Sequence, residues 1–232
     1  MKGAMENKNG TLKPYPVFLV GLENRSCIVA GGGHEAEYKV KGLLDCQATL
    51  TVISPTLTPQ LEEWAEEGRF SWLNRAYQPG DLRGAFLVIA ERSDPQRNAQ
   101  IFEEAEAENA LVNLIDDIPH CNFIAGSVVR QGDLAITIST SGSAPALAVR
   151  LRQRFEKEFG PEYGDFLKLL AGLRQPMSAL IPDFQERRRR WYQLVDSDIL
   201  ELLGEGEKDR AWQRLVEILG DDFQSYLDSA VR

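Results

Sequence analysis

The chain has 232 residues, 43% of them hydrophobic, enough for one large domain or two small ones with a real core. A net charge of -9 and a pI near 4.9 argue against an extended nucleic-acid surface, which needs a basic patch. No apolar run is long enough to cross a bilayer.

Residues 1–14, MKGAMENKNGTLKP, are polar, lack the apolar centre of a signal peptide, and are expected to form a mobile tail. Tyr15 to Leu22 is an apolar lead-in, followed by a turn at Glu23-Asn24-Arg25. The stretch Ser26 to Leu44 then organises the chain. It predicts a buried strand over Cys27–Ala30, a glycine turn, and a helix with Ala36, Val40, Leu43 and Leu44 at helical spacing. A strand running into glycines and then a helix is the context in which a G-x-G-x-x-G pattern carries meaning; here it reads Gly31, Gly33 and Ala36, with Gly32 between. Gly31 permits the tight turn, Gly33 lets a pyrophosphate approach the backbone, and a small residue at 36 lets the helix pack close to the strand. The helix N-terminus offers free N–H groups to the phosphates. The pattern predicts a dinucleotide site.

Strand two is expected over Ala48–Ser54, ended by Pro55, then a helix over Leu57–Glu67 and a brief strand over Phe70–Leu73. Ala85–Ala90 is wholly apolar, as in a strand buried on both faces of a parallel sheet. A helix over Asp94–Asn109, with Asp94-Pro95 as cap and first-turn pair, leads to a fifth strand over Leu111–Ile115. Alternating strands and helices predict an α/β fold, a Rossmann-type doubly wound parallel sheet. Ligands in such sheets lie beyond the carboxyl ends of the strands near the switch in strand order. That rule selects Gly31 to Glu35, Ser54-Pro55-Thr56, Ala90-Glu91-Arg92 and Asp116-Asp117.

Past residue 118 the pattern changes. Asp133–Thr140 is expected as a strand, Ser141-Gly142-Ser143-Ala144-Pro145 as a turn, and Ala146–Phe159 as a helix. Helical segments follow at Phe166–Leu173, Met177–Ile181, Phe184–Leu194, Asp196–Leu203 and Ala211–Leu219, with a seam at Gly160-Pro161. The run Arg187 to Arg190 reads as a solvated or intersubunit helix face. Cys27, Cys46 and Cys121 are odd in number and lack C-x-x-C spacing, so no disulfide framework or zinc knuckle is predicted, and a reducing cytoplasm fits best. No metal centre is predicted.

Four blocks, PVFLVGLENRSCIVAGGG, KVKGLL, VNLIDD and DLAITISTSGSAPALAVRLRQRFE, together resemble the precorrin-2 dehydrogenase and sirohydrochlorin ferrochelatase family, the N-terminal module of sirohaem synthesis. The resemblance runs from about Tyr15 to Phe159 and is most specific over ISTSGSAPALA. It implies NAD-dependent oxidation of precorrin-2 to sirohydrochlorin, with Fe2+ insertion in some members. It also implies a homodimer and a division into a Rossmann domain (15–117), a dimerisation segment (118–160) and a small helical C-terminal domain (161–232). Cofactor contacts carry over to Gly31, Gly32, Gly33, His34 and Glu35, to Ser54, Pro55 and Thr56, and to Ala90 and Glu91. The aspartate of the family's N-x-x-D stretch matches Asp116, implicated in both chemistries, with Asn113 beside it in the substrate set.

The chemistry asks for the same residue independently. Removing a hydride and a proton from adjoining positions requires a base near the nicotinamide, and a part-buried carboxylate at a strand end serves if burial raises its pKa. Asp116 is favoured over Asp117, which reads as a turn or cap aspartate. His120 and Cys121 follow closely and are of a type that binds Fe2+ or accepts protons, although a loop histidine is more often simply solvated. Ser139, Thr140, Ser141, Gly142 and Ser143 are expected to receive tetrapyrrole carboxylates. Three departures from the family pattern stand out: Phe123-Ile124-Ala125-Gly126 lacks the proline found in many relatives, the family's A-T-D is Ala90-Glu91-Arg92, and strand two ends in Ser54 without an acidic residue for a ribose 2′-OH. A Rossmann protein that senses a dinucleotide or tetrapyrrole without turnover is the competing reading.

Overall fold

The structure is a computed structural model that describes residues 14–91, 95–223 and 226. The expected tail, apart from Pro14, lies outside the described residues, as do Arg92 and the expected cap Asp94. The chain divides into two compact units, residues 1–125 with 141–143, and residues 126–140 with 144–232.

The first unit holds five parallel strands in the order β3-β2-β1-β4-β5: β1 (Ser26–Ala30), β2 (Thr49–Ile53), β3 (Ser71–Leu73), β4 (Leu87–Ala90) and β5 (Leu111–Leu114). Because side chains alternate across a strand, each strand feeds two cores. Val29, Leu50, Val52, Leu87 and Ile89 pack beneath α1 (His34–Asp45) and α2 (Pro59–Glu66), whose Ala36, Val40, Leu43 and Leu61 are buried there. Ile28, Ala30, Ile53, Val88, Ala90, Val112 and Leu114 form the other core with Tyr77, Leu82 and the Ile101 and Ala105 face of α3 (Pro95–Ala107). Both faces are thus covered, as the apolar runs demand. Thr58 caps α2 by accepting from Leu61 N–H, with Pro59 at the first helical position. The order reverses between β1 and β4, which places the ends of those two strands side by side: Ala30 is paired with Ala90, and Glu91 N–H donates to Ala30 O at 2.9 Å. The lead-in Tyr15 to Val20 is irregular and exposed, and Leu22 alone anchors it in the core.

The second unit begins with a strand that the sequence reading passed over. An antiparallel hairpin pairs β6 (Ser127–Gln131) with β7 (Leu134–Ile138) around Gly132-Asp133. The expected strand over Asp133–Thr140 is therefore the second half of a hairpin. Helices follow as α4 (Pro145–Glu158), α5 (Glu162–Leu180), α6 (Phe184–Val195), α7 (Ile199–Gly204) and α8 (Lys208–Leu219). The break expected between Leu173 and Met177 is absent. Pro176 lies inside α5, buried with Leu173 and Met177, so core packing carries the helix past a residue that lacks an N–H. Gly160-Pro161 separates α4 from α5 but not two compact units. Gln131 Nε2 donates to Phe159 O at 2.8 Å, and the hairpin turn meets α5 so closely that a Cβ on Gly132 would lie 3.0 Å from Gly164 Cα. A separate core of Phe166, Leu173, Met177, Leu194, Ile199, Leu202, Leu215 and Leu219 binds α5 to α8.

The arginine run does more than face solvent. Arg187 donates to Ile181 O and Pro182 O at the end of α5, and Arg190 donates to Ile218 O at the end of α8. Both satisfy terminal helix carbonyls with cationic donors. Arg189 pairs with Glu186 at 2.5 Å.

Candidate functional site

The turn between β1 and α1 has the geometry of an anion cradle. Gly31 has φ +146°, open to glycine and strained for other residues, and Gly33 is the extended N-cap of α1. Three N–H groups converge, and one side chain takes all of them. The Glu91 carboxylate accepts from Gly32 N–H and Gly33 N–H at 3.1 Å through Oε2, and from Ala36 N–H at 3.0 Å through Oε1. A Cβ on Gly31 would lie 2.5 Å from Glu91 Oε2, and one on Gly33 would lie 2.7 Å from Oε1. The glycines therefore leave room here for a carboxylate. The donors fit an anion with two oxygens, the chemistry a pyrophosphate presents, and they hold this one through charge-assisted bonds. Ala36 is fully buried, which seats α1 against the sheet.

The end of β2 supports this turn from the side. Ser54 is buried, and its hydroxyl donates to Thr56 O at 2.6 Å while Trp72 Nε1 donates to Ser54 O at 2.9 Å. Thr58 N–H donates to Gly32 O at 2.9 Å, and a Cβ on Gly32 would overlap the Thr56 carbonyl. Ser54 thus shapes the loop, and Pro55 and Thr56 are exposed above it. His34 is 91% exposed, with Nδ1 3.7 Å from Glu37, and Glu35 is exposed beside it. Ala90 is buried in the sheet, so its side chain is core rather than cleft.

At the end of β5, Asp116 takes the left-handed conformation, φ +60°, and is exposed. The expectation of a part-buried Asp116 is not met, because the left-handed turn carries the residue out of the sheet. Asp117 does not cap the short 3-10 turn Ile118–His120. Its carboxylate joins Asn98 Nδ2 at 2.8 Å to His120 Nδ1 at 2.9 Å, with the Phe102 ring edge-on to the imidazole at 5.5 Å. Asp117 is thus a turn aspartate whose carboxylate is held between Asn98 and His120, beside Asp116. Nothing in the sequence spacing signals its Asn98 arm, which comes from α3.

Cys121 is a tether in this loop. Its sulfur accepts from Leu114 N–H at 3.2 Å and lies 3.3 Å from Leu114 O and Asp117 O, while burial pushes the thiol pKa up and disfavours the thiolate a metal would bind. Asn113 likewise donates to Phe123 O at 3.1 Å, fixing the loop that lacks the family's proline. Among the described residues no group of three or more His, Cys, Asp or Glu side chains is gathered as a metal site.

The turn Ser139 to Ser143 crosses between the two units: Ser141, Gly142 and Ser143 belong with the sheet, Ser139 and Thr140 with the hairpin. Ser141 (φ +53°) and Gly142 (φ +79°) are both left-handed, and a Cβ on Gly142 would overlap the Ile118 side chain. This contact brings the Ser141-Gly142 backbone against the loop that bears Asp116. Thr140 Oγ1 accepts from Ala144 N–H at 3.2 Å, closing the turn before α4.

Three family models match the chain in succession. An NAD(P)-binding family model matches residues 18–127, a sirohaem biosynthesis central model residues 131–158, and a sirohaem synthase dimerisation model residues 162–219. The dimerisation model falls C-terminal to the segment 118–160 to which the resemblance assigned that role. Siroheme synthase of Pseudoalteromonas translucida is 34% identical over 88% of this chain, and that of Thioalkalivibrio sulfidiphilus 35% over 88%. The chain spans 43% and 42% of those two relatives, so less than half of their length. A solved structure of SirC, precorrin-2 dehydrogenase, superposes with a TM-score of 0.69 at 23% identity, covering 88% of this chain and all of that one. The ordered run of models over residues 18–219 makes the chain similar, in sequence, to the NAD(P)-binding, central and dimerisation regions of sirohaem synthases, and the solved neighbour shares its fold.

Proposed function

We propose that this chain oxidises precorrin-2 to sirohydrochlorin with NAD+, using the carboxyl edge of the parallel sheet as its active site. The observation that carries the reading is the pairing of an anion cradle at Gly32, Gly33 and Ala36 with an exposed carboxylate, Asp116, at the end of a strand of the same sheet. When bound, the nicotinamide supplies a hydride acceptor. The glycine turn holds the pyrophosphate and the Thr56 loop borders it. Asp116 accepts the proton that leaves the ring carbon adjoining the hydride donor, and the hydride would go to the nicotinamide when the glycine turn holds it. A bound tetrapyrrole supplies the burial that Asp116 lacks in the chain alone. Ser141, Gly142 and Ser143, which lie in the same unit as Asp116, receive substrate carboxylates, and Asn113 acts indirectly, by holding the loop after β5.

NAD is proposed over NADP from the family resemblance, since Ser54 is spent within its own turn. A homodimer is proposed from the dimerisation model, supported by the exposed apolar Phe184, Tyr192 and Val195 on α6. Residues 15–117 are proposed as the cofactor domain, with 118–160 and 161–232 together serving assembly. Fe2+ is proposed as a second substrate that replaces two inner N–H protons, one accepted by Asp116 and the other by solvent.

The competing reading, a dinucleotide- or tetrapyrrole-binding protein without turnover, draws on one observation: the cradle is filled by Glu91. An anaerobic optical assay with enzymatically generated precorrin-2 and NAD+, with and without Fe2+, separates the two. Sirohydrochlorin formation supports the dehydrogenase, and iron-dependent conversion faster than an enzyme-free control adds the chelatase. Ligand binding with no oxidation favours the sensor.

A further inference from the structure

We propose that Glu91 sets the dinucleotide affinity of this protein: its carboxylate stands where the pyrophosphate binds, and the cofactor enters only as that carboxylate swings off the Gly32, Gly33 and Ala36 N–H groups. The inference rests on the reading that the dinucleotide uses the glycine turn.

The three donors are already engaged at 3.0–3.1 Å, and each N–H carries a single proton. A phosphate arriving at the same donors must displace the carboxylate or share them with it. Sharing places two anions within a few ångströms in a half-buried turn, where they repel each other. The obstruction is also steric. Glu91 Cβ and Cγ lie 2.8 and 2.7 Å from the position of a Cβ on Gly31, so the side chain occupies the space that the glycine opens above the turn. Release needs no change in the sheet. Glu91 N–H stays bonded to Ala30 O, and rotation about the side-chain bonds alone carries the carboxylate away. The dinucleotide therefore binds a state that is a fraction of the free protein, and its apparent affinity falls by that fraction.

Calorimetric titration of the full chain with NAD+, ADP-ribose and adenosine tests this for the wild type, Glu91→Gln and Glu91→Ala. Ligands that carry the pyrophosphate should bind Glu91→Ala about tenfold more tightly, and Glu91→Gln more tightly by a smaller factor, because the amide keeps an acceptor but loses the charge. Adenosine should bind all three alike. Glu91→Gln preserves the shape of the side chain and decides the matter if the alanine variant fails to fold. Equal affinities for NAD+, or weaker binding of every ligand by the variants, would overturn the proposal and make Glu91 a scaffold of the turn. In either case Gly33→Val keeps the two readings apart: loss of NAD+ binding in that variant leaves the cofactor placement standing while the Glu91 proposal falls. NAD+ binding unaffected by Gly33→Val would overturn both.

Discussion

Two loops at the carboxyl edge of one sheet stand in opposite conditions. The β1–α1 turn is closed on itself: its N–H groups are satisfied by Glu91, its glycines pack on the Glu91 side chain and the Thr56 carbonyl, and Ala36 is buried. The exit of β5, with the Ser141-Gly142 backbone against it, is open and strained. Asp116 and Ser141 are non-glycine residues at positive φ, each costing on the order of 1 kcal/mol or more, and Asp116 projects from the sheet. Under the function proposed above, a region that has met its own hydrogen-bonding demands would have to open to take its ligand, whereas one held in strained turns would already present its carboxylate.

Breaking the open side should have the largest effect. Asp116→Ala is expected to lower NADH formation by about 10²–10⁴-fold, the range for loss of a positioned base, while NAD+ titrates as in the wild type. Unchanged turnover would remove Asp116 from its role. Gly33→Val attacks the closed side. A Cβ there already lies 2.7 Å from Glu91 Oε1, so a branched side chain fills the cradle, and calorimetry should show NAD+ affinity down by roughly 100-fold or more. Gly142→Ala sharpens the contrast with a smaller change. At φ +79° and against Ile118, a methyl group should cost about 1–3 kcal/mol in denaturant unfolding and reduce kcat/KM for precorrin-2, with NAD+ binding preserved.

The smallest effect belongs to a pair that is part of neither loop. Arg75 grips Asp81 through two 2.7 Å bonds, which hold the Asp81 carboxyl below the usual carboxylate range. Stability from a depressed carboxylate is present at neutral pH and is lost as pH falls through the lowered pKa. Asp81→Asn should therefore be slightly less stable than the wild type at pH 7, and the gap should close below about pH 4. A gap that stays constant with pH would assign the loss to packing instead.

The parallel sheet was legible because its signals are local. Apolar runs such as AFLVIA, the strand–glycine–helix pattern at residues 26–44 and Pro59 at a helix start each report on their own neighbourhood. What escaped depends on residues distant in the chain. Glu91 was picked out by its place after β4, but the N–H groups it binds lie 55 to 59 residues away, and no spacing rule pairs them. Asn98 reaches Asp117 from another helix in the same way. The β6 strand was missed although Gly132-Asp133 is a two-residue hairpin signal, because SVVRQ is short and lacks strict alternation. The gap left between Leu173 and Met177 contains Pro176, and tertiary burial carries one helix through it.

Rapid anaerobic mixing of the protein and NAD+ with precorrin-2, watching the nicotinamide and tetrapyrrole absorbances together, tests the central claim most directly. The account predicts NADH and sirohydrochlorin appearing in a single shared phase and in equal amounts for the wild type, and neither for Asp116→Ala. Precorrin-2 that binds without NADH formation, or equal rates in the two proteins, would contradict it.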